Sequence, residues 1–259
     1  MVKSLSGKKG LVIGIANQDS IAWGCAKVFR QAGAELAITY LNEKAEKYVR
    51  PLAEQLDAQI ILPLDVQHDD QMDNLFDTVA EQWGELDFAL HSIAFAPKED
   101  LHGRVVDCSR DGFLKAMEVS CYSFMKLAHM AESLLAKGDP GGSLLTVSYY
   151  GSEKVIPQYG VMGPVKAALE CAVRYLADEL GESGIRVNAL SPGPLMTRAA
   201  SGIKQFEGLI EIAKTKAPKH NVVTIDDVGA LARFLVSDDA RHITGNISYI
   251  DAGLHVLGS

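Results

Sequence analysis

The chain has 259 residues, 47 % of them hydrophobic, which suits one large α/β domain better than two small ones. Its net charge is −8, and this acidic balance disfavours nucleic acid as a partner because binding to phosphates needs a basic surface. The chain opens without an apolar signal core and no apolar run approaches the ~18 residues of a membrane span, so we expect a cytoplasmic protein without membrane association.

Apolar runs of strand length alternate along the chain with amphipathic stretches of helical period. The predicted strands are residues 10–14, 35–40, 59–64, 88–93, 143–148, 186–190 and 247–250. Helical patterns between them include residues 22–32, 69–83, 112–135 and 165–180. This alternation predicts a single-domain, Rossmann-type, doubly wound α/β fold with a seven-stranded parallel sheet. Such sheets bind ligands where the strand order reverses, so the loops after the first, fourth, fifth and sixth strands should line one crevice.

The loop after the first strand, residues 14–24, is long for this fold and lacks the Gly-x-Gly-x-x-Gly pattern. Gly14 permits a tight turn and a close approach of backbone to ligand. Ser20 is placed to cap the next helix, whose amino end can receive a pyrophosphate. Glycine turns and serine caps are also everyday structural devices, so this loop alone is a weak indication of a cofactor.

Two further strand ends carry candidate contacts. Asp65 and Val66 close the third predicted strand, where a carboxylate can accept from an adenine amino group or can simply form a turn. Residues 91–97 end the fourth strand, and their small side chains would let a flat nicotinamide and an acyl chain lie against the backbone. Alanine and serine at strand ends are also common in any tight packing.

Tyr159 is followed seven positions later by Lys166. In one α-helix this spacing puts both side chains on one face, about 10 Å apart along the axis, with the lysine leaning back toward the phenol. A cation beside a tyrosine lowers the pKa of the phenol and can hold a ribose hydroxyl, which suits hydride transfer. Pro164 is tolerated only in a first turn, so we expect the helix to begin between Gly160 and Gly163, with Tyr159 just before it. The pair alone also fits an ordinary packed tyrosine and a solvated lysine.

Taken together, these segments resemble the bacterial NADH-dependent enoyl-acyl-carrier-protein reductases, a divergent branch of the short-chain dehydrogenase/reductase superfamily. The resemblance covers nearly the whole chain and rests on Gly14 with residues 20–22, 91–93, Ser148 and Tyr149 with Tyr159 and Lys166, 186–194, 199–203 and 251–253. Ordinary superfamily members carry Tyr-x-x-x-Lys, which would require lysine at Gly163. The enoyl reductases instead use Tyr-x6-Lys with a second tyrosine ten residues upstream, here Tyr149.

The resemblance implies reduction of the 2,3-trans double bond of enoyl thioesters on acyl carrier protein, in bacterial type II fatty acid biosynthesis. Tyr159 would donate to the thioester oxygen where charge develops, Lys166 would hold the nicotinamide ribose, and Tyr149 would border the acyl chain or assist the proton path. Ala96 would lie against the substrate. The implied contacts of NADH are Gly14, Ser20, Ile21, Leu41, Asp65, Val66, Ile93, Lys166, Leu195, Met196, Thr197, Arg198 and Ala199.

The end of the second strand departs from the family pattern. Leu41 stands where the family often places glutamine, and its side chain cannot hydrogen-bond an adenosine ribose. NAD sites commonly use an acidic residue here and NADP sites an arginine, but positions 41 and 42 hold neither and Lys44 is the only close cation. We favour NADH.

Histidine and cysteine spacing gives no support to a metal site. The chain has no His-x-x-x-His and no Cys-x-x-Cys, and Cys25, Cys108, Cys121 and Cys171 are widely spaced. We therefore expect reduced thiols that mostly pack in the interior.

Residues 197–221 are predicted to form a mobile substrate lid of weak strand character, since so long a stretch between a strand and a helix is usually functional. The lid contains more basic than acidic residues. Its acidic residues are Glu207 and Glu211, and its basic residues are Arg198, Lys204, Lys214, Lys216 and Lys219. They could steer the acidic carrier protein or could be a solvated charged face. The resemblance implies a homotetramer, with apolar residues 254–257 in support.

Two rival functions stay open at this point. The chain could be a carbonyl reductase or alcohol dehydrogenase of the same superfamily, with Ser148 or Ser152 assisting the tyrosine. It could also be a nucleotide-sensing scaffold that has lost catalysis. Retention of both Tyr159 and Lys166 counts against the second, because a sensor needs no proton donor.

Overall fold

The computed structural model describes residues 4–138, 140–197 and 206–257. Its seven strands are β1 (Lys9–Ile13), β2 (Glu35–Tyr40), β3 (Ile60–Pro63), β4 (Phe88–His91), β5 (Ser143–Val147), β6 (Arg186–Pro192) and β7 (Ile247–Ile250). Its α-helices are α1 (Ile21–Gln31), α2 (Glu43–Gln55), α3 (Asp69–Gln82), α4 (Lys98–His102), α5 (Arg110–Met117), α6 (Ser123–Leu135), α7 (Met162–Glu179), α8 (Phe206–Lys216) and α9 (Ile225–Val236).

The strands form one parallel sheet in the order β3-β2-β1-β4-β5-β6-β7. The order reverses between β1 and β4, whose last paired residues are Ile13 and His91. The seven predicted strands and the doubly wound fold are therefore confirmed, with ends that differ by one or two residues. Because parallel strands end at the same edge, the loops after β1, β4, β5 and β6 meet beyond that edge, as predicted.

Both faces of the sheet are covered by helices, which explains why the strands read as continuous apolar runs. In β5, Leu144 packs into a core with α3, α6 and α7, while Leu145 packs into a second core with α1, α2 and α9. Small residues bring α1 and α9 together: a Cβ added to Gly229 would lie 2.7 Å from the carbonyl oxygen of Gly24. A bulkier residue there would force the two helices apart.

The predicted helical pattern over residues 112–135 is confirmed, but its hydrogen bonding is not α-helical throughout. A π-helical turn, Glu118–Tyr122, separates α5 from α6. Within it, the Ser120 hydroxyl accepts from the Phe95 amide at 2.9 Å and donates to the Phe95 carbonyl at 3.0 Å. The turn thus fastens this helix to the loop after β4, a tertiary contact that helical periodicity cannot reveal. Such turns are frequent at functional sites.

The prediction of weak strand character for residues 197–221 is wrong where the structure describes this segment. Residues 206–216 form α8, which is followed by a turn. Ala213 and Ala217, one helical turn apart, are buried against Leu254 of the C-terminal segment. The predicted lid positions Arg198, Ala199 and Lys204 lie outside the described residues. Among the described helices, none is long and apolar enough to cross a membrane.

Candidate active site

The loop after β1 approaches the loop after β4 closely. Gly14 has a φ of 109°, and a Cβ there would lie 2.1 Å from the carbonyl oxygen of Ser92. Any other residue would therefore be strained and would also push the two strand ends apart. Glycine at this position keeps the backbone of the predicted cofactor loop against the switch point.

Ser20 occupies the N-cap position of α1, but its side chain does not cap the helix. Its hydroxyl instead accepts from the amides of Ala16 and Asn17, both at 3.0 Å, and donates to the Asn17 side chain at 3.2 Å. The predicted side-chain cap is therefore wrong, because the loop folds back on the hydroxyl. The first turn of α1, which starts at Ile21, holds no acidic residue and no side-chain cap, so its amides suit an anion.

Beyond β2 and β3 lie the predicted adenosine contacts. Leu41 is 53 % exposed directly after β2, and the Asn42 side chain is engaged as the cap of α2. Strand β3 ends at Pro63, before Asp65, whose carboxylate accepts from the Gln67 amide at 3.1 Å. The turn-forming role of Asp65 is thus present. One of its carboxylate oxygens is sufficient for that turn, which leaves acceptor capacity for a ligand.

His91, the last residue of β4, is buried and ties three elements together. Its Nδ1 lies 3.1 Å from the Thr146 hydroxyl and its Nε2 lies 2.8 Å from the Ser123 hydroxyl. Burial, and to a smaller degree the charge of Lys166, lowers the pKa of His91 to about 3. His91 is therefore neutral at physiological pH and acts as a structural link beneath the site.

Helix α7 begins at Met162, so the predicted start of the helix and the position of Tyr159 just before it are confirmed. Tyr159 and Lys166 consequently do not share a helix face. Tyr159 stands between two residues of left-handed backbone, Gln158 with a φ of 65° and Gly160 with a φ of 51°. This tight turn, and not helical periodicity, orients the phenol.

Three tyrosine rings meet at this turn. The ring of Tyr149 makes edge contacts with Tyr159, at 5.0 Å between centroids, and with Tyr150, at 4.9 Å. The Tyr149 hydroxyl is buried and has no well-formed hydrogen bond within the described structure. Half-buried Ala96 and Ile156 pack against the small core that contains Tyr159. The predicted catalytic tyrosines and the predicted substrate contact are therefore neighbours.

Burial, helped by the charge of Glu170, raises the pKa of Tyr159 well above its usual range. The expectation that a lysine lowers this pKa is wrong for this arrangement. Lys166 is buried and its Nζ donates to the Val147 carbonyl at 2.6 Å. Burial lowers the pKa of Lys166 to about 8, against opposing effects from Cys121 and Glu170. Tyr159 is thus a protonated donor, and Lys166 is mostly charged at neutral pH.

Glu170 was missed by the sequence reasoning. It lies one turn beyond Lys166 on α7, and its buried Oε1 accepts from the hydroxyls of Ser148 at 2.5 Å and Ser152 at 2.7 Å. The sequence signal that could have identified Glu170 is its spacing of four residues from Lys166, which puts both on one face of a helix. Each serine has only one hydroxyl proton and gives it to Glu170, so neither is poised to assist Tyr159 as the carbonyl reductase alternative requires.

The segment after β6 carries the last predicted cofactor contacts. Leu195 and Thr197 are half-buried and joined by a bond from the Thr197 amide to the Leu195 carbonyl at 2.8 Å, while Met196 is 51 % exposed. Half-buried Ile93, at the start of the loop after β4, packs against the core below. Arg198 and Ala199 lie outside the described residues.

These strand ends fit a dinucleotide. Gly14 holds the loop after β1 against the loop after β4, the start of α1 is free of acidic residues, and the buried Tyr149 hydroxyl has unused bonding capacity. Among the described residues, no cluster of three or more histidine, cysteine, aspartate or glutamate side chains could hold a metal ion. The four cysteines are all unbridged thiols; Cys25 and Cys121 are buried as predicted for packing residues, whereas Cys108 is half-buried and Cys171 is exposed.

Fold and site together define a dinucleotide-dependent oxidoreductase. A sequence profile described as enoyl-(acyl carrier protein) reductase matches residues 14–255. The enoyl-[acyl-carrier-protein] reductase [NADH] of Rickettsia typhi is 46 % identical over 255 residues, which cover 98 % of this chain and 97 % of the relative. The chain belongs to the enoyl-acyl-carrier-protein reductase family.

Solved structures agree with this assignment. The enoyl-acyl-carrier-protein reductase of Anaplasma phagocytophilum, in complex with NAD, superimposes with a TM-score of 0.95 and 48 % identity, covering 100 % of this chain and 98 % of that one. The reductase of Bacillus cereus, with NADP+ and an indole naphthyridinone, superimposes with a TM-score of 0.96 and 43 % identity, covering 99 % of this chain and 100 % of that one. The predicted family, the predicted fold and the predicted enzyme class, an NADH-dependent enoyl reductase, are confirmed.

Proposed function

We propose that this protein reduces the 2,3-trans double bond of enoyl thioesters carried on acyl carrier protein, with NADH as reductant, in the elongation cycle of fatty acid biosynthesis. The observation that carries the proposal is the contact of buried Tyr159 with Tyr149 at the turn after β5, while Lys166 is bound to the carbonyl of Val147 at the end of β5, with Tyr159 protonated and Lys166 charged. Those are the states that stabilisation of an enolate needs.

Tyr159 is the group assigned to the substrate oxygen. NADH, when bound, supplies the hydride for carbon 3 of the substrate. Negative charge then develops on the thioester oxygen, and a neutral phenol pre-placed there stabilises the transition state more than the ground state. Because burial raises the pKa of Tyr159, the phenol keeps its proton at neutral pH and can act as a hydrogen-bond donor.

Lys166 is assigned to the nicotinamide ribose hydroxyls. Its ammonium has three donors, of which one is engaged by the Val147 carbonyl. Two donors therefore remain for a ribose diol, and the charge adds to the stabilisation of a nearby enolate. Protonation at carbon 2 then proceeds through solvent or a relay, with Tyr149 at the border of the acyl chain.

The remaining contacts are assigned by position. Gly14, Ser20 and Ile21 lie where the pyrophosphate would meet the start of α1, and Leu41, Asp65 and Val66 lie where the adenosine would end. The groups assigned to the nicotinamide side are Ile93, Leu195, Met196, Thr197, Arg198 and Ala199, and Ala96 is assigned to the substrate. Without an acidic residue or an arginine at position 41, the ribose 2′ position has no dedicated partner there, so we expect NADH to be preferred but not exclusive.

Basic side chains on and after α8 suit an acidic carrier protein as partner. Lys214, Lys216 and Lys219 are exposed on or just after α8, and Lys214 lies 3.9 Å from Glu211. An acidic carrier protein would be steered by such a surface.

Exposed apolar side chains on α5 and α6, Leu114 and Met125 among them, favour an assembly of subunits. We infer a cytoplasmic homotetramer.

The experiment is a comparison of four reactions. NADH and NADPH oxidation is followed by absorbance with a 2-enoyl thioester on acyl carrier protein and with a 3-keto thioester as control. We expect turnover of the enoyl substrate with NADH and none of the ketone. Comparable turnover of the ketone would favour the carbonyl reductase alternative and end the proposal. No turnover of either substrate, with NADH still bound, would favour a nucleotide sensor.

A further inference from the structure

The segment from Ser148 to Ser152 carries Tyr149 and contacts Tyr159. Gly151 lies so near the Tyr159 ring that an added Cβ would be 2.6 Å from its Cδ1. The Tyr149 ring also contacts the Tyr159 ring, at 5.0 Å between centroids. A shift of this segment by a fraction of an ångström therefore moves the phenol of Tyr159.

Both ends of this segment are tied to one atom. Oε1 of Glu170 accepts from the hydroxyl of Ser148, where β5 ends, and from that of Ser152, where the turn after Tyr149 ends. Hydrogen bonds to a carboxylate are stronger than those between neutral groups, and Glu170 is itself only 5 % exposed. A rigid helix thus anchors the segment at two points.

The same carboxylate is a buried negative charge beside the reacting groups. Burial lowers the pKa of Lys166, and the charge of Glu170 acts in the opposite direction. The same charge helps to raise the pKa of Tyr159. The other group that acts on Lys166 is Cys121 from the π-helical turn, and Lys166 in turn helps to keep nearby His91 of β4 neutral. Glu170 is therefore the charged partner of Lys166 within the described core.

We propose that Glu170 is a positioning residue of the reduction, which anchors the segment 148–152 beneath Tyr159 and places a carboxylate one helical turn from Lys166. The inference rests on the proposed function of Tyr159 and Lys166. It assigns two separable effects to one carboxylate: a geometric effect through the two serines and an electrostatic effect through the charge.

Three variants separate these effects. Glu170→Gln keeps an oxygen that can accept both hydroxyls but removes the charge. The double variant Ser148→Ala with Ser152→Ala keeps the charge but removes the anchor. Glu179→Gln, at an exposed position at the end of the same helix, is the matched control for loss of a carboxylate.

In Glu170→Gln, we expect the fall of kcat/KM at alkaline pH to begin about one pH unit lower than in the wild type. The reason is that Lys166 loses its proton more easily without the neighbouring charge. The double serine variant should keep this fall at the wild-type pH and keep the KM for NADH, but lose about tenfold in kcat, since the misplaced phenol matters in the transition state. Glu179→Gln should resemble the wild type in both respects. The Nζ titration of Lys166, followed by heteronuclear NMR without substrate, should show the same shift.

A Glu170→Gln profile that superimposes on the wild type, or a double serine variant with kcat within twofold of the wild type, would overturn the inference. Should Glu170→Gln fail to fold, the serine variant decides alone. A wild type that reduces no enoyl substrate would bring down the proposed function, whereas the NMR titration would still support or refute the electrostatic effect of Glu170.

Discussion

Gly151 lies against the rings of both Tyr149 and Tyr159, so its replacement by alanine displaces the assigned donor without altering any polar group. The added Cβ would lie 2.6 and 2.8 Å from two carbons of the Tyr159 ring and 3.2 Å from one carbon of Tyr149. Carbon atoms pack at about 3.5–4.0 Å, so the Tyr159 ring must retreat by roughly 1 Å. The backbone of Gly151 is outside the left-handed region, so alanine adds no backbone strain.

A displacement of about 1 Å at a reacting group can cost about 100-fold in rate, or roughly 2.7 kcal/mol of transition-state stabilisation. We therefore expect Gly151→Ala to lower kcat by about two orders of magnitude. Overpacking should reduce the free energy of unfolding by about 1–3 kcal/mol. NADH affinity should change little, because Lys166 and the loop after β1 are not displaced.

The assay is steady-state reduction of an enoyl thioester, with NADH binding followed by fluorescence and stability by urea denaturation. Gly181→Ala is the matched control, because its Cβ would meet no atom within 4 Å. A second comparison places Gly151→Ala in a Tyr159→Phe background, where it should cost little more once the phenol is gone. The reasoning is refuted if Gly151→Ala keeps more than half of the wild-type kcat while Tyr159→Phe loses most of it.

Three other outcomes are expected. Lys166→Ala should lose both NADH affinity and turnover, whereas Tyr159→Phe should mainly lose turnover; unchanged NADH binding in the lysine variant, by fluorescence titration, would contradict the role of Lys166. Because the pKa of Lys166 is about 8, kcat/KM should fall as the pH rises through 8, and Lys166→Arg should remove that limb; a profile flat to pH 10 would show that the lysine charge is not needed. Lys204→Glu, outside the described residues, should raise KM for the carrier-linked substrate but not for a coenzyme A thioester, and salt should shrink the difference; equal losses on both substrates would exclude docking.

Local patterns in the sequence determined the sheet and the helix starts. Strand β5 lacks the polar–apolar alternation of a half-exposed strand, with Leu144 and Leu145 adjacent, because both of its faces are buried. Pro164 has no amide hydrogen, which confined the start of α7 and placed Tyr159 before it. Tyr149, Tyr159 and Lys166 were found as a set because their spacing is itself a property of the sequence.

The tertiary structure alone decided the partners and the protonation states of those residues. Lys166 binds the carbonyl of Val147, 19 positions away, and Glu170 joins Ser148, 22 positions away. Such contacts depend on how α7 packs on β5, and neither propensity nor periodicity carries that information. Burial then determines the pKa of Tyr159, since desolvation acts through every group packed around the phenol and not through its neighbours in sequence.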